Sequence, residues 1–281
     1  MIVLQNGKAK LAINPYRGAA TCFWQMDGRD IFYVDQTSYR KKEMKFVGGN
    51  PIMFPIFSTL GLLGQSQLRY DGKFVDLPQH GLARLSSSWR SNLLQENQLQ
   101  LYLSSSPESL KIFPWDFNLQ VTVTLGENSL VLEQKVINTG TETLPFVAGF
   151  HPYFQISDPI HCELSGLKEG QPCYFVSNHG PSEYNGHLPA KLALGSAEVN
   201  HHFNNESRAI KLVDRLSGRR IVVAPDENYP CATIWSEPGR PFVCVEPVSA
   251  RRGAFETREH LLRLAAGETW CGKIAITVEH L

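Results

Sequence analysis

The fold class is decided by one stretch of the chain, which reads FNLQVTVTL (Phe117–Leu125), then Gly-Glu-Asn, then SLVLEQKVIN ending at Asn138. In its first half, Phe, Leu and Val alternate with Asn, Gln and Thr. Alternation of apolar and polar residues with a period of two is typical of a β-strand with one buried face. Because a short turn containing glycine joins the two runs, the stretch predicts an antiparallel β-hairpin.

Similar runs continue on both sides of this hairpin, and helical periodicity is almost absent. Short segments rich in Val, Ile, Thr, Phe and Tyr, which favour strands, lie between turns indicated at Asp27-Gly28, Asp71-Gly72 and Ser217-Gly218. We therefore predict an all-β fold, a large antiparallel β-sandwich formed as a single domain over residues 1–281. The further predicted strands are Lys10–Ile13, Thr21–Met26, Gln98–Ser104, Phe146–Phe150, Ala209–Asp214, Arg219–Ala224, Cys231–Trp235, Phe242–Glu246 and Lys273–Glu279.

Composition limits the classes of partner and compartment. The 281 residues include 27 Lys and Arg against 27 Asp and Glu, a balance that argues against a nucleic-acid-coating surface or a basic membrane anchor. We expect a small-molecule partner, no nucleic acid and no membrane. The opening MIVLQNGKAKLA lacks the apolar segment of a secretory signal, so we expect a cytoplasmic protein. The apolar stretch Phe46–Gly64 contains Pro51 and Pro55, which predicts a buried irregular strand or loop and not a membrane helix.

Cysteines and histidines give no pattern typical of a metal site. The six cysteines have no CxxC or Cys/His ligand spacing, so we predict reduced thiols and no zinc site. The polar region Glu169–Ser207 is predicted to form long surface connections, with a lid over a site as an alternative. Its histidines, His179 and His201-His202, have no spaced carboxylate and are expected to face solvent.

Three segments place a titratable group in an apolar, strand-like context, where it needs a partner or a task. The first is PQHGLAR (Pro78–Arg84). In it His80 precedes Gly81, which permits unusual backbone geometry, and Arg84 offers a planar set of donors suited to carboxylate, phosphate or paired hydroxyls. The alternative is a turn with a hydrogen-bonded structural histidine.

The second segment is AGFHPYF (Ala148–Phe154). His151 ends an apolar run because Pro152 cannot continue the ladder of hydrogen bonds. Tyr153 and Phe154 then point to opposite faces, which favours an aromatic wall beside the imidazole, a surface suited to the C–H face of a sugar. An aromatic core plug with a hydrogen-bonded histidine is the alternative.

The third segment is PFVCVEPVSA (Pro241–Ala250), in which Glu246 ends a buried run. Burial raises the pKa of a carboxyl group unless cations or donors keep it ionised, and such a tunable pKa suits a general base. The alternative is a strand-end glutamate paired with Arg251 or Arg252.

Taken together and in this order, HGLAR, GFHPYF and FVCVEP resemble the motifs of the aldose 1-epimerase, or galactose mutarotase-like, superfamily. The resemblance extends over nearly the whole chain. It implies a galactose mutarotase-like supersandwich that interconverts the α and β anomers of an aldohexose. The other segments that carry it are AINPYRGAATCFWQMDGRDIFYVD (Ala12–Asp35), KLVDRLSGRRIVV (Lys211–Val223) and LLRLAAGETWCGKIAITV (Leu261–Val278).

The resemblance also implies the role of each candidate residue. Glu246 would be the base that removes the proton from the anomeric O1 hydroxyl, and His151 the acid that protonates the ring oxygen. His80 would be a second donor that orients the sugar or supports charge on that oxygen. The bond from C1 to the ring oxygen breaks, the aldehyde rotates and the ring closes on the other face. No metal or organic cofactor is implied.

Departures from the family pattern bear on the substrate. Known galactose mutarotases carry Arg and Asn before the first histidine, whereas GGNPIMFPIFSTL contains Asn50 and no Arg, so Arg84 is a candidate for that place. The HGxAR form is similar to the hexose-6-phosphate mutarotase branch, in which arginines hold the phosphate; Arg40, Arg251 and Arg252 are further candidates. In EVNHHFNN, Asn200, with His201 as the alternative, stands where the family has an acidic substrate-binding residue.

The sequence therefore predicts an isomerase acting on an aldohexose or a hexose 6-phosphate, with Arg84, Asn50, Tyr153 and Asn200 as substrate-binding residues. The alternative is a non-catalytic carbohydrate-binding or sugar-sensing protein on the same scaffold, and a third option is an accessory domain of a polysaccharide-processing enzyme. We expect a monomer or a weak homodimer.

Overall fold

The computed structural model describes residues 1–41, 43–176, 183–195, 197–206 and 209–281. His179 lies outside the described residues. The helices are α1 (Gln36–Arg40), α2 (Pro107–Ile112) and α3 (Ala254–Thr257), with short 3₁₀ turns at Ala83–Leu85 and Pro159–His161. The strands are β1 (Ile2–Asn6), β2 (Ala9–Asn14), β3 (Ala20–Met26), β4 (Arg29–Asp30), β5 (Ile52–Met53), β6 (Gln67–Tyr70), β7 (Lys73–Asp76), β8 (Arg90–Gln95), β9 (Gln98–Ser104), β10 (Phe117–Leu125), β11 (Ser129–Asn138), β12 (Leu144–Phe146), β13 (Gly149–Phe150), β14 (Tyr153–Gln155), β15 (Cys162–Ser165), β16 (Pro172–Val176), β17 (Glu183–His187), β18 (Lys191–Ala193), β19 (Val199–Asn204), β20 (Ile210–Asp214), β21 (Arg219–Pro225), β22 (Cys231–Ser236), β23 (Phe242–Val248), β24 (Leu262–Leu264) and β25 (Thr269–His280).

Two large antiparallel sheets dominate the fold, so the prediction of an all-β antiparallel sandwich is confirmed. The back sheet has the strand order β18-β15-β20-β21-β25-β11-β10-β9-β8. The front sheet has the order β17-β16-β19-β22-β23-β13-β5, and β14 also pairs with β23. Smaller sheets are formed by β1-β2-β3-β4, by β12-β24 and by β6-β7.

The predicted hairpin is the β10–β11 pair in the middle of the back sheet. Its register runs from Phe117 opposite Asn138 to Leu125 opposite Leu130. The apolar residues of β10, among them Leu119 and Val121, are buried and the polar ones are not fully buried. These side chains join one hydrophobic core with residues of the front sheet, such as Val243. The period of two in the sequence therefore defines the core-facing side of the back sheet.

The front sheet is buried on both faces around β23. Val243 and Val245 join the core between the two sheets, whereas Phe242 and Cys244 belong to a separate cluster that includes Tyr153. Because side chains alternate along a strand, Glu246 lies on the same side as Phe242 and Cys244, away from the core. This outer face carries the polar residues described below.

One strand prediction needs correction. The run predicted as one strand over Phe146–Phe150 divides into β12, which pairs with β24, and β13, which pairs with β5 and β23. The chain changes sheets between them, and the Val147 amide donates to the Pro55 carbonyl oxygen instead of to a neighbouring strand, at 2.7 Å. Phe46–Gly64 is largely buried and irregular, as predicted, with β5 as its short strand.

The region Glu169–Ser207 is not a set of surface connections in its described part, and that prediction is wrong. It contributes β16, β17, β18 and β19, and β19 pairs with β16 on one side and β22 on the other. In β19 the polar residues Asn200 and His202 are buried, so a polar composition does not indicate a solvent face there.

The cysteines and helices match their predicted character. All six cysteines, each within the described residues, are free, and five of them are buried. Among the described residues, every helix is too short or too polar to cross a membrane.

Candidate active site

A cavity of about 430 Å³ opens on the outer face of the front sheet. Its walls include six of the residues that the sequence predicts for the site, namely His80, Arg84, His151, Tyr153, Asn200 and Glu246. They come from separate segments of the chain: the front sheet brings together His151, Tyr153, Asn200 and Glu246, and the turn before and within Ala83–Leu85 adds His80 and Arg84.

The register of the front sheet explains why Glu246 and His151 meet. Gly149 lies opposite Val248, and Tyr153 lies opposite Cys244. His151, midway between Gly149 and Tyr153, therefore falls opposite Glu246. The distance from His151 Nε2 to Glu246 Oε1 is 3.5 Å. Both side chains are almost completely buried.

The same register extends across two further strands. Glu246 on β23 lies opposite Thr233 on β22, which lies opposite His202 on β19. The adjacent row contains Cys244, Trp235 and Asn200 in the same order. Thr233, Trp235, Asn200 and His202 all line the cavity, so three neighbouring strands present a continuous polar and aromatic floor.

His80 enters the cavity from a strained turn. Its φ is +62° and that of Gly81 is +79°, both in the left-handed region. A Cβ on residue 81 would lie 2.2 Å from the Phe54 carbonyl oxygen, so glycine is required for this close approach. The Ser58 amide donates to His80 Nδ1 at 3.2 Å. A ring nitrogen that accepts carries no proton, so the proton of the neutral imidazole is on Nε2.

Burial determines the protonation of these groups. It lowers the pKa of His80 well below its usual value, and the Arg84 charge lowers it further. Burial, with a second contribution from Arg84, lowers the pKa of His151 to about 3. Burial raises the pKa of Glu246 well above 4.5, and the Arg84 charge opposes that shift. The site therefore favours neutral side chains, with Arg84 as the group that stabilises a carboxylate at Glu246.

Aromatic rings hold the His151 imidazole in place. The Tyr153 ring stacks on it with centroids 4.7 Å apart and planes inclined by 4°. Trp235 packs edge-on against His151 at 5.9 Å and against Tyr153 at 5.8 Å. These contacts restrict the imidazole plane, which a directional proton transfer requires.

Of the other residues predicted for substrate or phosphate, Arg252 reaches the cavity, and Asn50, Arg40 and Arg251 do not line it. Asn50 is buried between the sheets, bridges to Thr21 and lines a small internal void, so the structure does not bring it to the cavity. Arg40 is exposed at the end of α1. Arg252 lines the cavity, and Arg251 lines an adjoining space of about 200 Å³ that shares His202 and Arg252 with it.

Sequence reasoning missed His202, Thr233 and Trp235 as lining residues. The expectation that His202 faces solvent is wrong, since its side chain is 4% exposed and its Nε2 lies 3.0 Å from Asn200 Oδ1. Neighbouring His201 is only partly buried and contacts Cys173. The signal was available: Val199 and Phe203 on one face, with Asn200 and His202 on the other, form a period of two.

A group of potential metal ligands also occurs within the described residues. Ligand-type atoms of His151, Cys244 and Glu246 lie within 4.8 Å of one another. Burial, followed by the neighbouring Glu246, raises the pKa of Cys244 well above 9.0. Burial therefore favours the protonated thiol of Cys244, which is a weaker metal ligand than a thiolate.

Comparison with known proteins identifies the same architecture. In the solved structure of Slr1438 from Synechocystis sp. PCC 6803, a chain 28% identical superposes with a TM-score of 0.90 over 100% of this chain and 96% of the other. A putative aldose 1-epimerase of Escherichia coli K12 is 19% identical, with a TM-score of 0.81 over 99% and 98% of the two chains. The second likeness shows the fold alone.

Sequence comparison agrees with the fold. A putative glucose-6-phosphate 1-epimerase of Cenchrus ciliaris is 24% identical over 93% of this chain and 79% of its own length. Protein LacX of Lactococcus lactis subsp. lactis is 24% identical over 91% and 89% of the two chains. The family model described as Aldose 1-epimerase matches residues 1–277. The protein is thus a galactose mutarotase-like β-sandwich, and its chain belongs to the aldose 1-epimerase family.

Proposed function

We propose that the protein is a mutarotase that interconverts the α and β anomers of an aldohexose or a hexose 6-phosphate by acid–base ring opening and closure. The observation that carries the proposal is the His151–Glu246 pair, 3.5 Å apart and buried at the floor of a cavity. O1 and the ring oxygen are both bonded to C1, so an acid and a base that act on them must be close neighbours, as this pair is.

In the proposed reaction, Glu246 accepts the proton of the O1 hydroxyl while His151 donates a proton to the ring oxygen. The bond from C1 to the ring oxygen breaks and an aldehyde forms. Rotation of the aldehyde and reversal of both proton transfers close the ring on the other face. His80 donates through Nε2–H, since its Nδ1 accepts from the Ser58 amide, and it supports the charge that develops on the ring oxygen.

The shifted pKa values fit a pair that shares one proton. Burial favours neutral Glu246 and neutral His151, which together hold the same number of protons as a carboxylate beside an imidazolium. Moving the proton from Glu246 to His151 makes the base and the acid ready in one step. Arg84 beside Glu246 stabilises the carboxylate, so the reactive arrangement needs no proton from solvent.

Arginine side chains bear on the choice between a free sugar and a sugar phosphate. Arg84 and Arg252 both line the cavity, and guanidinium groups bind phosphate through charge-assisted hydrogen bonds. The relative from Cenchrus ciliaris is named as a putative glucose-6-phosphate 1-epimerase, which supports a phosphorylated substrate. The charge of Arg84 already acts on Glu246, so Arg252 is the better candidate for the phosphate.

The test is anomer exchange measured by two-dimensional exchange NMR for D-glucose, D-galactose and glucose 6-phosphate, with and without protein. We expect the exchange rate of at least one sugar to rise in proportion to protein concentration, and Arg252→Gln to reduce the rate for glucose 6-phosphate more than for glucose. Binding of these sugars without acceleration would favour a carbohydrate-binding or sugar-sensing protein instead.

A further inference from the structure

His202 lies across the floor of the cavity from the reacting pair. It is in register with Thr233 and Glu246, two strands away from Glu246. Neighbouring strands are about 4.8 Å apart, so the two backbones are separated by roughly 10 Å. When a pyranose presents O1 to Glu246, the opposite half of its ring, with C3, C4 and C6, extends across the floor towards His202.

The hydrogen bond of His202 determines which of its nitrogens is available. Nε2 faces Asn200 Oδ1 at 3.0 Å. An amide oxygen only accepts, so the imidazole proton is on Nε2 and Nδ1 is a bare acceptor. Burial, with further contributions from Arg252 and Arg251, lowers the pKa of His202 to about 3, which keeps the ring neutral near neutral pH.

The Nδ1 atom of His202 is buried and has no hydrogen-bond partner among the residues that the structure describes. The residue lines both the main cavity and the adjoining space. A buried acceptor without a partner is costly, and a ligand that supplies a donor removes this cost. The donors on a sugar are its hydroxyl groups.

We propose that His202 Nδ1 accepts a hydrogen bond from a sugar hydroxyl on C3, C4 or C6, and that His202 thereby selects sugars that carry this hydroxyl. The inference rests on the proposed function, because it takes the sugar to be oriented with C1 at Glu246. A sugar that lacks the hydroxyl leaves the acceptor unpaired and binds less tightly.

Two substitutions separate the role of Nδ1 from that of Nε2. The Oδ1 atom of asparagine lies near the place of Nδ1, so His202→Asn keeps the acceptor and loses the contact with Asn200. The amide of glutamine reaches the place of Nε2, so His202→Gln keeps that contact and loses the acceptor. His201→Gln on the same strand is the matched control, since His201 does not line the cavity.

The experiment measures dissociation constants for D-glucose and its 2-, 3-, 4- and 6-deoxy derivatives by calorimetry. In the unmodified protein and in His202→Asn, we expect one of the 3-, 4- or 6-deoxy sugars to bind about 3- to 10-fold more weakly than glucose, the range for one neutral hydrogen bond. His202→Gln should bind glucose and that deoxy sugar equally. His201→Gln should show the same preference as the unmodified protein.

Two results would overturn the inference: the same preference in His202→Gln as in the unmodified protein, or no binding of any of these sugars. Because binding is read independently of turnover, the two proposals fail separately. If the hydroxyl preference depends on His202 but the protein does not accelerate anomer exchange, the mutarotase proposal alone is wrong. Anomer exchange without such a preference removes the role of His202 alone.

Discussion

Replacing Glu246 by glutamine separates proton acceptance from shape at the centre of the cavity. The two side chains are nearly isosteric, so Glu246→Gln keeps the packing around a residue that is 2% exposed. The amide cannot accept the O1 proton. We therefore expect sugar binding to persist and turnover to fall.

The size of the fall follows from what else in the cavity could act as a base. Among the described lining residues, the other carboxylate is Glu237. Its side chain is 43% exposed and lies 3.9 Å from the Arg240 guanidinium. A solvated, ion-paired carboxylate is a weak substitute for a buried one. Loss of a positioned base costs about 10²- to 10⁴-fold in rate, so we expect kcat to fall by at least about 100-fold.

The same variant tests the raised pKa of Glu246 through stability. A carboxyl group whose pKa is raised by folding supports the folded state fully at low pH, and this support is lost as the pH rises from about 4.5 through the raised value. Glutamine carries no titratable proton. The melting temperature of Glu246→Gln, relative to that of the unmodified protein, should therefore increase with pH.

Exchange NMR and thermal unfolding between pH 4 and 8 measure the two effects, and Glu237→Gln is the matched control. The control should change kcat by less than about 3-fold and show no comparable trend in melting temperature. Unchanged turnover in Glu246→Gln would remove Glu246 as the base. A melting-temperature difference that stays constant or shrinks with pH would refute the effect of burial on its pKa.

Two further substitutions test the surroundings of the reacting pair. Arg84→Met removes the cation that lowers the pKa of Glu246, so the acid limb of the kcat/KM profile should move to higher pH; a limb that moves to lower pH would contradict this role. Gly81→Ala places a Cβ 2.2 Å from the Phe54 carbonyl oxygen and should destabilise the protein by about 3 kcal/mol or more. Gly218→Ala, at a similar φ of +64° but in open space, should cost about 1 kcal/mol, and equal losses in denaturant unfolding would refute the steric argument.

The sequence predicts the features that depend on local pattern. The hairpin Phe117–Asn138 follows from a period of two, and its observed register agrees with it. His151 and Glu246 could be singled out because each ends an apolar run before a proline. Both lie at the cavity for the same reason: the strands that carry them belong to the front sheet.

The features that sequence reasoning missed depend on contacts between distant segments. His202 and Glu246 lie in one row because β22 pairs with β19 on one side and with β23 on the other. A local sequence pattern does not show which strands pair. A polar residue on an alternating strand also predicts a solvent face by default. That rule failed for His202, which is buried in the cavity. The family resemblance predicts Asn50 at the substrate, and it is buried between the sheets instead. Whether a polar residue is buried can be predicted only when the segments that pack over its strand are known.

The buried titratable groups at the cavity indicate function more strongly than any single motif. Within the described residues, His80, His151, His202 and Glu246 are each at most 6% exposed, although apolar side chains of similar volume would be less costly to bury. Departures of this kind concentrate at functional sites.

The contacts also assign different tasks to chemically identical rings. An amide donor makes His80 a proton donor through Nε2, and an amide oxygen makes His202 an acceptor through Nδ1. His151, facing a carboxylate, is the ring placed to exchange a proton. Three histidines fixed in three different hydrogen-bonding roles are what a site needs if it is to hold a sugar by its hydroxyls while moving protons on the two oxygens bonded to C1.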